Sequence, residues 1–341
     1  MGKATIDDVA RLAAVSIKTV SRVINKEANV REKTRERVLE AINSLNYQPS
    51  QSARGLAGNR SYTIGMLYGH LSPGYFMDVQ EGVLKTCMDH HYGLILNPIS
   101  NNSADLERNV YDWLRHSRVE GVVMTPPFGS DERIVNALKA ADIPAVTLSE
   151  RALDIIPSVV IDEVSAAREL TRHLIDQGHK NIAFVLGETE HQSSKLRLQG
   201  FRDEMKAHGL PVDERLLVSG DFSFEGSSDA ASFLMDLSER PTAVFAANDD
   251  MAAAVLSAAH NRNIKVPDEV AVVGFDNSPI ASQVWPALTT VDQPARSMAS
   301  LACEKLINQI KKTEEIDHVN GEDTLTTVPY TLHVRASSIS G

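Results

Sequence analysis

Residues 5 to 25 constrain this chain most: Thr5-Ile6-Asp7-Asp8-Val9-Ala10-Arg11-Leu12-Ala13-Ala14-Val15-Ser16-Ile17-Lys18-Thr19-Val20-Ser21-Arg22-Val23-Ile24-Asn25. The pattern predicts two short amphipathic helices joined by a tight turn. Ile6, Val9, Ala10 and Ala13 recur at the spacing of one buried helix face. Thr5, with Asp8 three residues on, predicts a capping box that opens the first helix. Ala13 to Ser16 makes the turn, and Ser16 is placed to cap the second helix. Val20, Val23 and Ile24 then face inward, which turns Ile17, Lys18, Ser21 and Arg22 outward. A third helix from about Arg31 to Asn46 presents Val38, Ala41, Ile42 and Leu45 to the same centre. The result is an all-α domain over residues 1–46, near the lower size limit for independent folding.

Charge divides the chain at the same end. The whole carries a formal net charge of -11, yet residues 1–61 hold 11 Lys and Arg against 6 Asp and Glu, a net of +5. The remaining 280 residues carry 23 against 39, a net of -16. A basic head on an acidic body is the asymmetry expected when one end meets phosphates and the other is kept off them. A helix-turn-helix lays its second helix in the major groove. Ile17 and Lys18, at the start of that helix, are placed to meet base edges, and Arg22 one turn on to meet a guanine O6/N7 edge. Ser16, Thr19, Ser21, Asn25 and Arg35 are the candidates for phosphate contacts, which set position rather than sequence.

Other classes find little support. No apolar run of about 18 residues predicts a membrane span. Met1-Gly2-Lys3-Ala4 leads into a polar helix without an apolar signal segment, so a cytoplasmic location is expected. Cys87 and Cys303 have no zinc, redox or disulfide spacing and read as small apolar residues. The chain contains no dinucleotide-binding or phosphate-loop glycine motif and no H-E-x-x-H, and neither a nucleophile nor an acid-base pair stands out. No cofactor, no metal and no enzymatic activity are expected. Beyond residue 62, apolar runs at 63–67, 94–96, 119–124, 145–148, 182–186, 244–246 and 270–275 alternate with helical segments at 79–88, 165–177 and 250–262. That alternation predicts parallel sheets with helices on both faces, in two doubly wound lobes. Residues 311–323 are polar and read as a loop.

Pro49 stops the third helix, and a weakly helical stretch follows with Leu56 among small residues. With Asp8-Val9-Ala10, Val15-Ser16, Thr19-Val20-Ser21-Arg22-Val23, Lys33-Thr34-Arg35, Asn46-Tyr47-x-Pro49 and Leu56-Ala57-Gly58, the chain resembles the LacI/GalR family of bacterial transcriptional repressors over nearly its whole length. The resemblance implies a helix-turn-helix headpiece (1–46), a hinge helix and linker (47–61) and a two-lobed ligand-binding and dimerisation domain like the periplasmic sugar-binding proteins (62–341). It implies DNA contacts from Thr5, Ser16, Ile17, Lys18, Thr19, Ser21, Arg22, Asn25 and Arg35. Ala53 and Leu56 join them from the hinge, where Leu56 wedges into the minor groove at the centre of a near-palindromic operator. Where many members carry a capping Ser at the start of the third helix this chain has Arg31, and Asn29 with Glu32 is the substitute cap.

The same resemblance implies three crossings between lobes, near Val160-Ile161-Asp162, Val291-Asp292-Gln293 and His333 to Ser337. A ligand should lie between the lobes at the carboxyl ends of the strands. It assigns ligand contacts to Arg197, Asn248, Asp276 and the stacking Phe222, with Tyr75 and Phe76 on a first-lobe loop; Ser149 and Asp162 are placed on the cleft as well. Asp249 is either a helix cap or part of that set. An aromatic with Arg, Asn and Asp suits a sugar, a purine or nucleoside being the alternative. The expected protein is a homodimeric, effector-controlled repressor without membrane contact. The chain ends at Gly341 without a heptad tail, which favours a dimer over a tetramer. A solute-binding protein without a DNA role would leave residues 5–58 unexplained.

Overall fold

A computed structural model describes residues 4–24, 29–47, 60–100, 103–148, 156–312 and 324–339. The chain divides into two compact units, Met1–Tyr62 and Thr63–Gly341. The first contains α1 (Ile6–Leu12), α2 (Ile17–Ile24) and α3 (Glu32–Ser44). The capping box is present: Thr5 Oγ1 accepts from the Asp8 N–H at 3.3 Å, and the Asp8 carboxylate accepts from the Thr5 N–H at 3.0 Å. In the turn, Ala14 takes a φ of +50°, the left-handed region that lets the chain reverse between α1 and α2. Val9, Ala10, Ala13, Val20, Val23, Val38 and Ala41 form the core with Tyr47, and Ile6, Ile24, Ile42 and Leu45 pack around it. The expected Asn29 cap is not made. Arg31 occupies the cap position of α3 without a side-chain bond, and Asn29 lies two residues upstream of it.

The second unit is built on two six-stranded sheets. One contains β1 (Thr63–Tyr68), β2 (Gly93–Pro98), β3 (Gly121–Met124), β4 (Ala145–Thr147), β5 (Ser158–Val160) and β11 (Leu325–Thr327), in the order β11-β5-β4-β3-β1-β2. The other contains β6 (Ile182–Leu186), β7 (Leu217–Ser219), β8 (Ala243–Ala246), β9 (Ala271–Asp276), β10 (Thr289–Asp292) and β12 (Thr331–His333), in the order β12-β10-β9-β8-β6-β7. Pairing is parallel throughout except that β12 runs antiparallel to β10. Strands such as β3 (GVVM) and β8 (AVFA) are buried at every residue because helices cover both sheet faces. Counted from β2 and from β7, each sheet runs second, first, third strand of its lobe, so each has a switch point between its first and third strands where a crevice opens.

In the first lobe α4 (Pro73–Asp89), α5 (Leu106–Ser117) and α6 (Glu132–Ala141) accompany the sheet. The second holds α7 (Glu163–Asp176), α8 (Gln192–Ala207), α9 (Ser228–Asp236), α10 (Asp249–His260) and the short α11 (Ile280–Gln283). The chain then returns to pack α12 (Ala295–Lys312) on α4. Phe184, Phe201 and Phe245 centre the second lobe's core, with ring centroids 4.8 to 6.4 Å apart. Crossings follow β5 and β10, as expected. The third does not fall at His333 to Ser337. It falls at Val328-Pro329-Tyr330, between β11 and β12. His333 already pairs with Thr290 of β10, and Ser337 O accepts from Val272 N–H at 2.8 Å, so that whole stretch belongs to the second lobe.

Each lobe has one close helix seam. A Cβ on Gly82 of α4 would stand 2.2 Å from the Arg296 carbonyl oxygen of α12, and one on Gly200 of α8 would stand 2.4 Å from the Val164 carbonyl oxygen of α7. Cys87 and Cys303, 216 residues apart, meet across the first seam as buried free thiols with sulfurs 3.7 Å apart. Among the described residues no helix is long and apolar enough to cross a membrane. A Gly82→Ala exchange must part α4 from α12, and it should destabilise the second unit by about 1–3 kcal/mol in urea unfolding. An unchanged midpoint would show that the seam yields without cost.

Candidate functional site

On the headpiece, α2 buries Val20 and Val23 and leaves Ile17 and Lys18 exposed, with Thr19, Ser21 and Arg22 half-buried beside them. Ser16 stands at the start of α2, where its Oγ accepts from the Thr19 N–H at 3.2 Å and lies 2.9 Å from the Thr19 hydroxyl. The Thr5 hydroxyl is engaged in the cap of α1, 2.7 Å from Asp8 Oδ2. Arg35 is half-buried on α3 with Glu32 at 3.6 Å. Asn25, Ala53 and Leu56 lie outside the described residues.

In the second unit, the carboxyl ends of both sheets border a cavity. Of the expected contacts, Tyr75, Arg197, Phe222, Asn248 and Asp276 line it. Ser149 lies outside the described residues. Phe76 and Asp162 do not line it. Tyr75 and Phe76 belong to the first turns of α4 rather than to a loop, because Pro73 sits at the helix start, where its missing N–H costs nothing. Tyr75 turns inward, whereas Phe76 packs on Tyr68 with centroids 4.6 Å apart. Asp162 is the N-cap of α7, accepting from the Ser165 N–H at 2.9 Å and the Ser165 hydroxyl at 2.6 Å. Glu163, one residue on, faces the cavity in its place.

Arg197 organises the floor. Its Nε and Nη2 donate to the two Glu163 carboxylate oxygens at 2.7 and 3.1 Å, and Nη1 donates to the Ala247 carbonyl. Nη2 also lies 3.5 Å from Asp276 Oδ1, and the guanidinium rests over the Phe275 ring, 3.6 Å from its centroid. Burial works against the charged guanidinium, but Glu163 and Asp276 outweigh it and hold Arg197 more firmly protonated than usual. Burial raises Asp276 to a pKa of about 6; Arg197 opposes the shift and Glu163 adds to it. The Tyr75 phenol is pushed up by burial and by Asp276 and Glu163. Burial, helped by Arg197, lowers His191 to about 4, so it is a neutral imidazole at pH 7.

Asn248, not Asp249, caps α10. Its Oδ1 accepts from the Met251 N–H and its Nδ2 donates to the Phe222 carbonyl, both at 2.9 Å, which ties the Phe222 loop to the helix. Asp249 lies behind the wall, where it accepts from Ser278 N–H and Thr290 Oγ1, both at 2.7 Å, and burial with Asp276 raises it to about 8. Two lining residues have left-handed backbones, Phe222 (φ +67°) and Asp276 (φ +98°). Non-glycine residues hold that conformation only where their surroundings enforce it, commonly at ligand sites. Gly187 makes room for the Phe222 ring, since a Cβ there would stand 2.0 Å from it. Among residues not anticipated, His70, Glu163, His191 and Gln293 also line the cavity. Only Glu163 left a trace in sequence, since reading Asp162 with Ser165 as a cap hands the next carboxylate to the cleft. Among the described residues no cluster of His, Cys, Asp and Glu could hold a metal.

Residues 5–50 match the family described as bacterial regulatory proteins, lacI family, and residues 171–338 match the periplasmic binding protein-like domain. Catabolite control protein A of Priestia megaterium is 34% identical over 336 residues, 98% of this chain and 99% of that protein. This chain belongs to the lacI family of bacterial regulatory proteins. The ribose operon repressor of Escherichia coli (strain K12) is 36% identical over 310 residues, 90% of this chain and 93% of that one. Among solved structures, the lac repressor dimer bound to operator and the anti-inducer ONPF matches with a TM-score of 0.80 at 26% identity, over 99% of this chain and 100% of that chain. As a lacI-family member the protein is a DNA-binding transcriptional regulator and not an enzyme. The family and the fold are those read from the sequence.

A ligand donating hydroxyl protons to Asp276 needs the ionised carboxylate, so protons compete with it. Its affinity should therefore fall as pH drops through about 6, by up to about tenfold per unit below that. His191 stays neutral down to about 4 and does not titrate in this window, and Asp276→Asn, which should flatten the profile, separates the Asp276 carboxylate from the other titratable groups near the wall. Titration calorimetry from pH 5 to 7.5 measures this, and a flat profile would exclude Asp276 as the acceptor.

Proposed function

We propose that this lacI-family chain is a cytoplasmic repressor that binds a near-palindromic operator as a homodimer and releases or tightens its grip when a sugar occupies the cleft. The reading rests on one conjunction: a basic helix-turn-helix and an acidic receptor with a polar, aromatic-walled cavity occur in one chain. In the headpiece, the outward residues of α2 supply the chemistry of base recognition, with Arg22 reading a guanine edge and Ile17 and Lys18 meeting neighbouring bases. Ser16, Thr19, Ser21, Asn25 and Arg35 hold phosphates. Leu56 and Ala53 act from the hinge.

The cleft suits a sugar because it sets carboxylate and amide groups against the Phe222 ring and apolar side chains such as Leu148 and Ile161. A dimer accounts for an apolar stripe that the lobe leaves uncovered: Met77, Leu84 and Met88 on α4 share one face, and Ile95 on the edge strand β2 is also exposed. The lac repressor structure that this chain resembles is a dimer on its operator. An effector can move the protein between states only by its difference in affinity for them, commonly about 1–3 kcal/mol.

Selection from a random DNA pool should return a two-fold symmetric site, bound in a strongly salt-dependent manner. Arg22→Ala should lower the preference for that site over random DNA by about 1–3 kcal/mol in fluorescence anisotropy. Recovery of no symmetric site would overturn the reading, and an unchanged preference in the variant would remove Arg22 from the groove.

A further inference from the structure

The charge of the cleft is settled before a ligand arrives. Among the described lining residues, two carboxylates, Glu163 and Asp276, face one guanidinium, Arg197. Three of the five guanidinium N–H groups are already donated, two to Glu163 and one to the Ala247 carbonyl, and Nη2 also leans toward Asp276 at 3.5 Å. One flat face of the group is covered by Phe275. Arg197 therefore has no charge left uncompensated for an anionic ligand, although its remaining N–H groups can still donate to a neutral oxygen. The two histidines at the wall do not change the balance. His70 of the first lobe and His191 of the second both lie against Glu188, at 3.4 and 3.6 Å, so a proton on either meets a third carboxylate.

Asp276 is the group with capacity to spare. Gln293 donates to its Oδ1 at 3.3 Å, and Arg197 approaches the same oxygen. Oδ2 is left to accept from a ligand. A buried carboxylate is satisfied by a hydroxyl proton and repelled by a phosphate or a second carboxylate, and low polarity around it magnifies both effects.

We infer that the cleft selects an uncharged polyhydroxyl ligand and rejects the phosphate ester or acid of the same skeleton. This rests on the reading of the cleft as an effector site and narrows that site's chemistry. Two sources offer the required hydroxyls, a free sugar and the ribose of a nucleoside.

The test is calorimetric titration of the full-length protein at pH 7.5 with matched pairs: D-ribose and ribose 5-phosphate, D-glucose and glucose 6-phosphate, adenosine and adenosine monophosphate. In any pair that binds, the neutral member should bind about tenfold or more tightly than its ester, because the ester brings like charge to the carboxylates. Binding by adenosine but not ribose or glucose assigns the hydroxyls to a nucleoside, and the reverse assigns them to a sugar. Glu163→Gln removes one carboxylate and releases the guanidinium, so it should narrow the gap between the members of the pair. Asp276→Asn should weaken the neutral member and narrow the gap as well, independently of whether the first variant folds. An ester that binds as tightly as its neutral partner overturns the inference and keeps the effector-site reading. A panel in which neither member of any pair binds overturns that reading along with it.

Discussion

The buried Arg197 guanidinium is the interaction on which the receptor is organised. An ion removed from water in this way is tolerable only where opposite charges and carbonyls meet it closely, and removal of one partner leaves a costly uncompensated charge. Its partners come from separate parts of the second lobe: Glu163 from the first turn of α7, Ala247 from the end of β8 and Asp276 from the end of β9. The network therefore fixes the relative positions of two strand ends and a helix start. Those strand ends are where a doubly wound sheet opens its crevice. The left-handed backbones of Phe222 and Asp276 become affordable on such a framework, since Asn248 holds the Phe222 carbonyl and Arg197 and Gln293 hold the Asp276 carboxylate.

What was legible in the sequence follows from the physics of each element. The headpiece was readable nearly residue by residue, because a core of so few side chains must use every apolar position at helical spacing. Val9, Ala10, Ala13, Val20, Val23, Val38 and Ala41 are all buried, as that spacing requires. The central strands were readable as apolar runs because both faces of a parallel sheet are covered. The short outer strands were not. Ser158–Val160, Leu217–Ser219, Leu325–Thr327 and Thr331–His333 have three residues each, and several of those residues are polar or exposed. The displaced third crossing has the same cause, since it lies between two such strands.

The site was legible where a residue's role follows from its place at a strand end and illegible where it depends on a helix's rotational phase. Asp276 ends strand β9, Asn248 follows strand β8 by two residues, and both line the cleft. Asp162 and Glu163 are adjacent in sequence, yet one caps α7 and the other meets Arg197, a difference of one position around a helix start. Arg197 itself was legible as a cleft residue, but its saturation by Glu163 was not. That pairing joins residues 34 apart on two packed helices, and no local pattern records it.

The crossings give the cleft its mechanical meaning. Val160, Ile161 and Glu163 line the cavity from the first crossing and its continuation into α7, and Gln293 lines it from the second. A change in the angle between the lobes must bend these segments, so it must also displace groups that face the ligand. Conversely, a ligand that binds Asp276 touches a carboxylate already bonded to Gln293, in the segment that bends. Occupancy and lobe angle are therefore coupled through shared residues rather than through a long relay. A ligand with different affinities for two lobe angles shifts their populations by that difference alone. The rest of the receptor has only to be stiff. Close seams at Gly82 and Gly200 supply that stiffness, one in each lobe, by setting helix backbone against helix backbone where no side chain can yield.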